Sequence, residues 1–139
     1  MNPRCFDFAR FQDYRAEREQ RIRDFLAGSP ASPGVLFVER AHCDYVKCRT
    51  PQESLEVQLD GITRQMDLGT DYVPFLEPWF GVGVYANAFG AEYVWVDGES
   101  AQTRYVAHTA DLAAALQARA IEDTPAVRLV LDAIDYFRE

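Results

Sequence analysis

Residues 70–90 read TDYVPFLEPWFGVGVYANAFG. A short apolar run, Tyr72 to Leu76, ends on an acid, Glu77. Pro78-Trp79-Phe80, the spaced glycines Gly81 and Gly83, and Ala88-Phe89-Gly90 follow it. An apolar run of about four to eight residues bounded by turn signals is the pattern of a strand buried on both faces. The segment therefore predicts a buried strand over 72–76 that delivers a carboxylate and an aromatic rim to the mouth of a pocket. Pro74 removes one ladder donor from that strand.

Outward from this stretch, Val35-Leu36-Phe37-Val38 is a second such run, closed by Glu39-Arg40. Residues 9–27 read as a charged helix with Glu17–Arg21 and Glu19–Arg23 at i,i+4 spacing. Ile22, Phe25 and Leu26 are its expected apolar face, and Gly28 its stop. Thr50-Pro51-Gln52-Glu53 spells a capping box, with a hydroxyl at the N-cap, proline at the first helical position and glutamate at the third. Leu55, Leu59, Ile62 and Met66 then recur on one helical face, with Gly69 as terminator. Tyr93 to Val96 and Arg104 to Ala107 flank Asp97-Gly98-Glu99, which predicts a hairpin. Asp111 is expected to cap an alanine-rich helix over 112–120. Thr124-Pro125 opens a last helix with Val127, Val130, Leu131, Ile134 and Phe137 on one stripe.

Strands separated by amphipathic helices predict an α/β fold with parallel strands and right-handed crossovers. Two parallel strands do not make a stable sheet, because both faces and both edges need cover. Further strands are therefore expected from a continuation of the chain or from another chain. The stripe of the last helix is still apolar at Phe137, so the 139 residues read as an N-terminal fragment.

Composition narrows the class. Nearly half the residues are apolar (48%), which is globular rather than disordered, and no apolar run reaches the roughly 18 residues of a membrane span. The opening MNPRCFDFAR has no basic-then-apolar leader pattern, so a cytoplasmic protein is expected. Net charge is −8, and the basic residues are almost all arginines. A nucleic-acid backbone requires a concentrated basic surface, and no basic run exists here, so neither nucleic acid nor membrane is an expected partner. A small anionic ligand would have to be held by a few local arginines. Cys5, Cys43 and Cys48 are odd in number and read as reduced thiols.

Glu77 is the first candidate for chemistry. Acids at the C-terminal ends of parallel strands sit where α/β enzymes carry catalytic groups, and burial beside Trp79 and Phe80 would raise its pKa toward a proton-transfer role. Its plainer role is a loop acid that caps a helix or pairs with arginine. Glu39, Arg40 and His42 follow the other expected strand and are the candidate substrate-binding residues, together with Trp79 and Phe80. For Glu39 and Arg40 the plainer reading is a surface ion pair worth less than about 1 kcal/mol. His42, Cys43 and Cys48 do not have the paired spacing of a zinc site, so no metal ligand is expected within this chain. The glycines at 81, 83 and 90 lack the lysine and helix frame of a phosphate loop and predict close backbone approach instead.

The arginine-rich first helix, the Leu-Phe-Val-Glu run at 36–39, the Thr-Pro-Gln-Glu-Ser helix start at 50–54, Asp-Tyr-Val-Pro at 71–74 and Ala-Phe-Gly at 88–90 together resemble the uroporphyrinogen decarboxylase superfamily. The final Ala-Ile-Asp-Tyr-Phe-Arg-Glu resembles a helix near the middle of such proteins. The resemblance runs from about Arg21 onward and implies a (β/α)8 TIM barrel, of which this chain supplies the first strands and helices with an inserted β-hairpin. It implies a small-molecule lyase or methyltransferase, inactive as this piece alone. True decarboxylases carry arginines after the first strand and an aspartate after the next. Here the first loop reads Glu39-Arg40-Ala41-His42-Cys43-Asp44, and Glu77 falls near the aspartate's place beside Pro78. These departures favour the corrinoid or coenzyme M methyltransferase-like branch. That branch implies zinc bound by residues beyond this chain, and a corrinoid protein or the remaining C-terminal half as partner. The rival reading is a non-catalytic α+β binding module.

Overall fold

The computed structural model describes residues 3–32, 34–44, 48–104 and 120–139. It divides into two compact units, Met1–Cys43 with Glu56–Leu76, and Asp44–Leu55 with Glu77–Glu139. Among the described residues the architecture is mixed and rich in helix. It comprises α1 (Phe8–Leu26), α2 (Pro51–Leu68), α3 (Val84–Ala88), β1 (Tyr93–Val94), β2 (Gln102–Thr103) and α4 (Pro125–Tyr136), with single 3-10 turns at Pro3–Cys5 and Ile121–Asp123. The one sheet among these residues is the antiparallel pair β1–β2. Among the described residues no helix is long and apolar enough to cross a membrane.

The capping box at Thr50 acts as written. In α2 the Glu53 amide donates to Thr50 Oγ1 at 3.2 Å while Glu53 Oε2 accepts from the Thr50 amide at 3.1 Å. That reciprocal bond satisfies two of the amides a helix start leaves unpaired. Gly69 ends α2 at φ +66, a left-handed value that glycine adopts without steric cost. Leu59, Ile62 and Met66 of the expected stripe are buried. In α1 the cap is Asp7, which accepts from the Arg10 amide.

Three expectations change. The runs at 35–38 and 72–76 form neither helix nor strand and join no ladder among the described residues. Val35, Phe37 and Val38 are 71%, 63% and 62% exposed, and Phe75 is exposed too. The Phe37 backbone instead exchanges bonds with Asp71, its carbonyl accepting from the Asp71 amide at 2.7 Å and its amide donating to Asp71 Oδ2 at 2.9 Å. A run patterned for burial on both faces acquires that burial only when sheet neighbours lie beside it. The expected apolar face of α1 is likewise uncovered at Phe25 and Leu26. The helix docks through polar side chains described below.

In the second unit the hairpin forms with Tyr93 opposite Thr103 and Val94 opposite Gln102, so its return strand begins earlier than 104. Residues 105–107, and the helix expected over 112–120 with its cap at Asp111, lie outside the described residues apart from Ala120. The loop around Gly81 and Gly83 lies tightly against the hairpin. A Cβ on Gly81 would stand 2.9 Å from Tyr93 Oη and 3.0 Å from the Ala101 carbonyl, and one on Gly83 would strike the Thr103 methyl. Tyr93 Oη donates to the Phe80 carbonyl, tying the same pieces together. Helix α4 packs on α3 through small residues. Ala126 and Ala133 are buried, and Asn87 Oδ1 accepts from the Ala126 amide at 3.0 Å. Small side chains let the two backbones approach closely, so the broader stripe at Val127, Val130 and Leu131 stays partly exposed.

Gly81 also sits at φ +111. Gly81→Ala combines a strained backbone with a close contact, and is expected to lower unfolding free energy by about 1–3 kcal/mol in urea denaturation.

Candidate functional site

The first unit is assembled by hydrogen bonds that run from α1 to the turn after α2 and on to the loop at 39–43. Tyr14, Arg18 and Arg21 stand at i, i+4 and i+7, hence on one face of α1. Tyr14 Oη lies 3.1 Å from the carbonyls of both Thr70 and Tyr72, which share its single proton. Arg18 Nε donates to the Thr70 carbonyl at 2.7 Å, with its guanidinium 4.7 Å from the Tyr14 ring centre. Arg21 Nε donates to Asp71 Oδ1 at 2.6 Å.

Asp71 is the charged centre of this arrangement. Its side chain is only 6% exposed, and its two oxygens take Arg21 and the Phe37 amide. The Arg21 hydrogen bond holds the carboxyl below the ordinary aspartate range against the opposing effect of burial, with the Phe37 amide and the Arg18 charge adding to it. The same bond raises the Arg21 guanidinium.

Gln65 carries the network into α2. Gln65 is 1% exposed. Its Oε1 accepts from the Ala41 amide at 2.6 Å, while Nε2 lies 3.1 Å from the Glu39 carbonyl and 2.6 Å from Thr70 Oγ1. Thr70 Oγ1 in turn donates to the Glu39 carbonyl at 3.0 Å. One helical residue earlier, Arg64 Nη2 donates to the His42 carbonyl at 2.7 Å. Cys43 Sγ rests against Gly61, where a Cβ would collide with it. Gln58, equally buried, lines a small pocket with Gln65, Ile62, Arg40, Tyr72 and Pro74. The space is about 10 Å³, room for a single water-sized body as the side chains stand.

The sequence-derived candidates fall into two groups. Glu39, Arg40 and His42 lie on the pinned loop of the first unit, with exposed side chains. The Arg40 guanidinium is 6.0 Å from the Tyr72 ring centre, at the pocket's edge. Glu77, Trp79 and Phe80 belong to the second unit. Glu77 and Trp79 are half-buried, and the Glu77 carbonyl accepts from the Trp79 amide at 2.8 Å. Phe80 is 3% exposed and is a core side chain of that unit rather than a rim. Among the described residues no three His, Cys, Asp or Glu side chains gather as a metal site.

The sequence reading missed Tyr14, Arg18, Arg21, Gln65, Thr70 and Asp71. A signal was present for Gln58 and Gln65, which interrupt the Leu55–Leu59–Ile62–Met66 face at helical spacing. A polar side chain on a core-facing stripe is the informative exception. Comparison with protein-family models, with characterised proteins and with solved structures finds no match to this chain.

The sign of the Asp71 effect is definite. A carboxyl whose pKa is lowered on folding contributes stability fully above its unfolded value, about 3.9, and loses it as pH falls through the lower folded value. Asp71→Asn is expected to cost about 1.5–3 kcal/mol at pH 7. Urea titrations from pH 7 downward should show the difference between Asp71→Asn and wild type shrinking below about pH 4.

Proposed function

We propose that this chain supplies the early strand-end loops of a uroporphyrinogen decarboxylase-like barrel of the methyltransferase-like branch, acting on a small carboxylate-bearing molecule. The observation that carries the reading is the loop at 39–42. Its backbone is held by the buried Gln65 and the exposed Arg64 of α2, and its exposed arginine stands beside an aromatic ring and a pocket. Binding residues are characteristically loop residues held by a rigid scaffold. An arginine there suits a carboxylate, because its planar fork can donate two parallel hydrogen bonds.

The apolar runs at 35–38 and 72–76 support the barrel half of the proposal. Their exposed Val35, Phe37, Val38 and Phe75 form apolar surface that a sheet would cover. For the complete protein the resemblance implies a proton-transfer role for Glu77. Zinc and a corrinoid partner, as the resemblance implies them, belong to that complete protein.

Two measurements test this. Hydrogen exchange on the protein isolated from its source cells is expected to protect the amides of Leu36, Val38, Val73, Phe75 and Leu76, which exchange fast in the 139-residue chain alone. Fast exchange in both would leave the non-catalytic module as the surviving reading. In the full-length protein, Glu77→Gln is expected to lower turnover about 10²-fold or more with an unchanged unfolding midpoint. Assaying methyl transfer to cobalamin beside carbon dioxide release from uroporphyrinogen separates the two branches. Kinetics unaltered by Glu77→Gln would remove that residue from the chemistry.

A further inference from the structure

We infer that Gln65 is a positioning residue for Arg40, and that α2 presets the 39–42 loop to receive a carboxylate group of the ligand; the inference rests on the anionic-ligand reading above. Three peptide groups around Arg40 are held from two adjacent helical residues. Gln65 takes the carbonyl before Arg40 through Nε2 and the amide after it through Oε1, so one side-chain amide brackets the arginine. Arg64 takes the next carbonyl, that of His42. Thr70 Oγ1 bonds to both Gln65 and the Glu39 carbonyl, which orients the Gln65 amide: its nitrogen faces two acceptors and its oxygen faces a donor.

That orientation is chemically determined. A flipped amide would point Oε1 at the Glu39 carbonyl and Nε2 at the Ala41 amide, setting acceptor against acceptor and donor against donor. Gln65 and Thr70 are buried, so the Gln65 bonds to the Ala41 amide and to Thr70 Oγ1 are shielded from water, while the two bonds to the Glu39 carbonyl are partly buried. Arg40, by contrast, is exposed. An arginine loses rotamer freedom on binding an anion, and a loop that is already ordered removes the backbone share of that loss. A glutamine on the face of α2 that otherwise carries Leu59, Ile62 and Met66 is costly for packing alone, and its bonds go to the peptide groups flanking the one exposed cation of the loop.

The test uses the full-length protein with succinate as probe, read by isothermal titration calorimetry, beside the thermal unfolding midpoint of each variant. Arg40→Gln is expected to abolish succinate uptake. Gln65→Met, which loses both loop bonds, and Thr70→Val, which loses the hydroxyl at constant shape, are expected to weaken uptake about tenfold, the scale of one or two net hydrogen bonds. Thr70→Ser keeps the hydroxyl and should restore wild-type affinity, which a packing role for Thr70 would not produce. If Gln65→Met does not fold, the Thr70→Val and Thr70→Ser pair carries the test. Wild-type protein that takes up no succinate, or Arg40→Gln that takes it up unchanged, removes the ligand reading and overturns both. Arg40-dependent uptake that Gln65→Met and Thr70→Val leave unaltered overturns the Gln65 assignment alone.

Discussion

The Asp71 carboxylate meets three demands in the first unit: it neutralises Arg21 of α1, receives the Phe37 amide, and through its own backbone returns a bond to the Phe37 carbonyl. A nearly buried charge is tolerable only when paired and hydrogen-bonded, and each oxygen of Asp71 has such a partner. Because the carboxylate is taken up in this way, the turn Thr70–Tyr72 is held at a set distance from α1. Tyr14 and Arg18 then find its carbonyls, and Thr70 is held where Gln65 can reach it. The order of the 39–42 loop therefore depends on a charge that lies on another part of the chain.

The second unit uses a different device. Among the described residues its hairpin pairs two residues in each strand, too few to be stable alone. Gly81 and Gly83 allow the preceding loop to lie against that ribbon at backbone distance, and Tyr93 closes the contact on the Phe80 carbonyl. Small residues repeat the principle between α3 and α4, where Ala126 and Ala133 bring Asn87 within reach of a helix-start amide. Close approach replaces large side-chain burial, which leaves several broad apolar residues partly outside.

Local signals were legible because they act within one turn of chain. The Thr50–Glu53 capping box, the left-handed Gly69, the Thr124-Pro125 helix start and the hairpin around Gly98 each need only their neighbours in sequence. The strand reading of 35–38 and 72–76 was not of this kind. Apolar patterning states that a segment suits burial between sheet neighbours, and it cannot supply the neighbours. Those segments instead take backbone partners from a side chain, as Phe37 does from Asp71.

By itself, the sequence determined α1, α2 and α4, the capping box of α2 and the close glycine contacts of the aromatic loop, and it offered Glu39, Arg40, His42 and Glu77 as candidates, since periodicity and turn chemistry are properties of contiguous chain. Tertiary structure alone decided that α1 docks by Tyr14, Arg18 and Arg21 rather than by Phe25 and Leu26, and that Gln65 reaches across about 25 residues to bracket Arg40. The reason is physical. A charged or amide side chain looks solvated in sequence, and only its partners, distant along the chain, make its burial favourable.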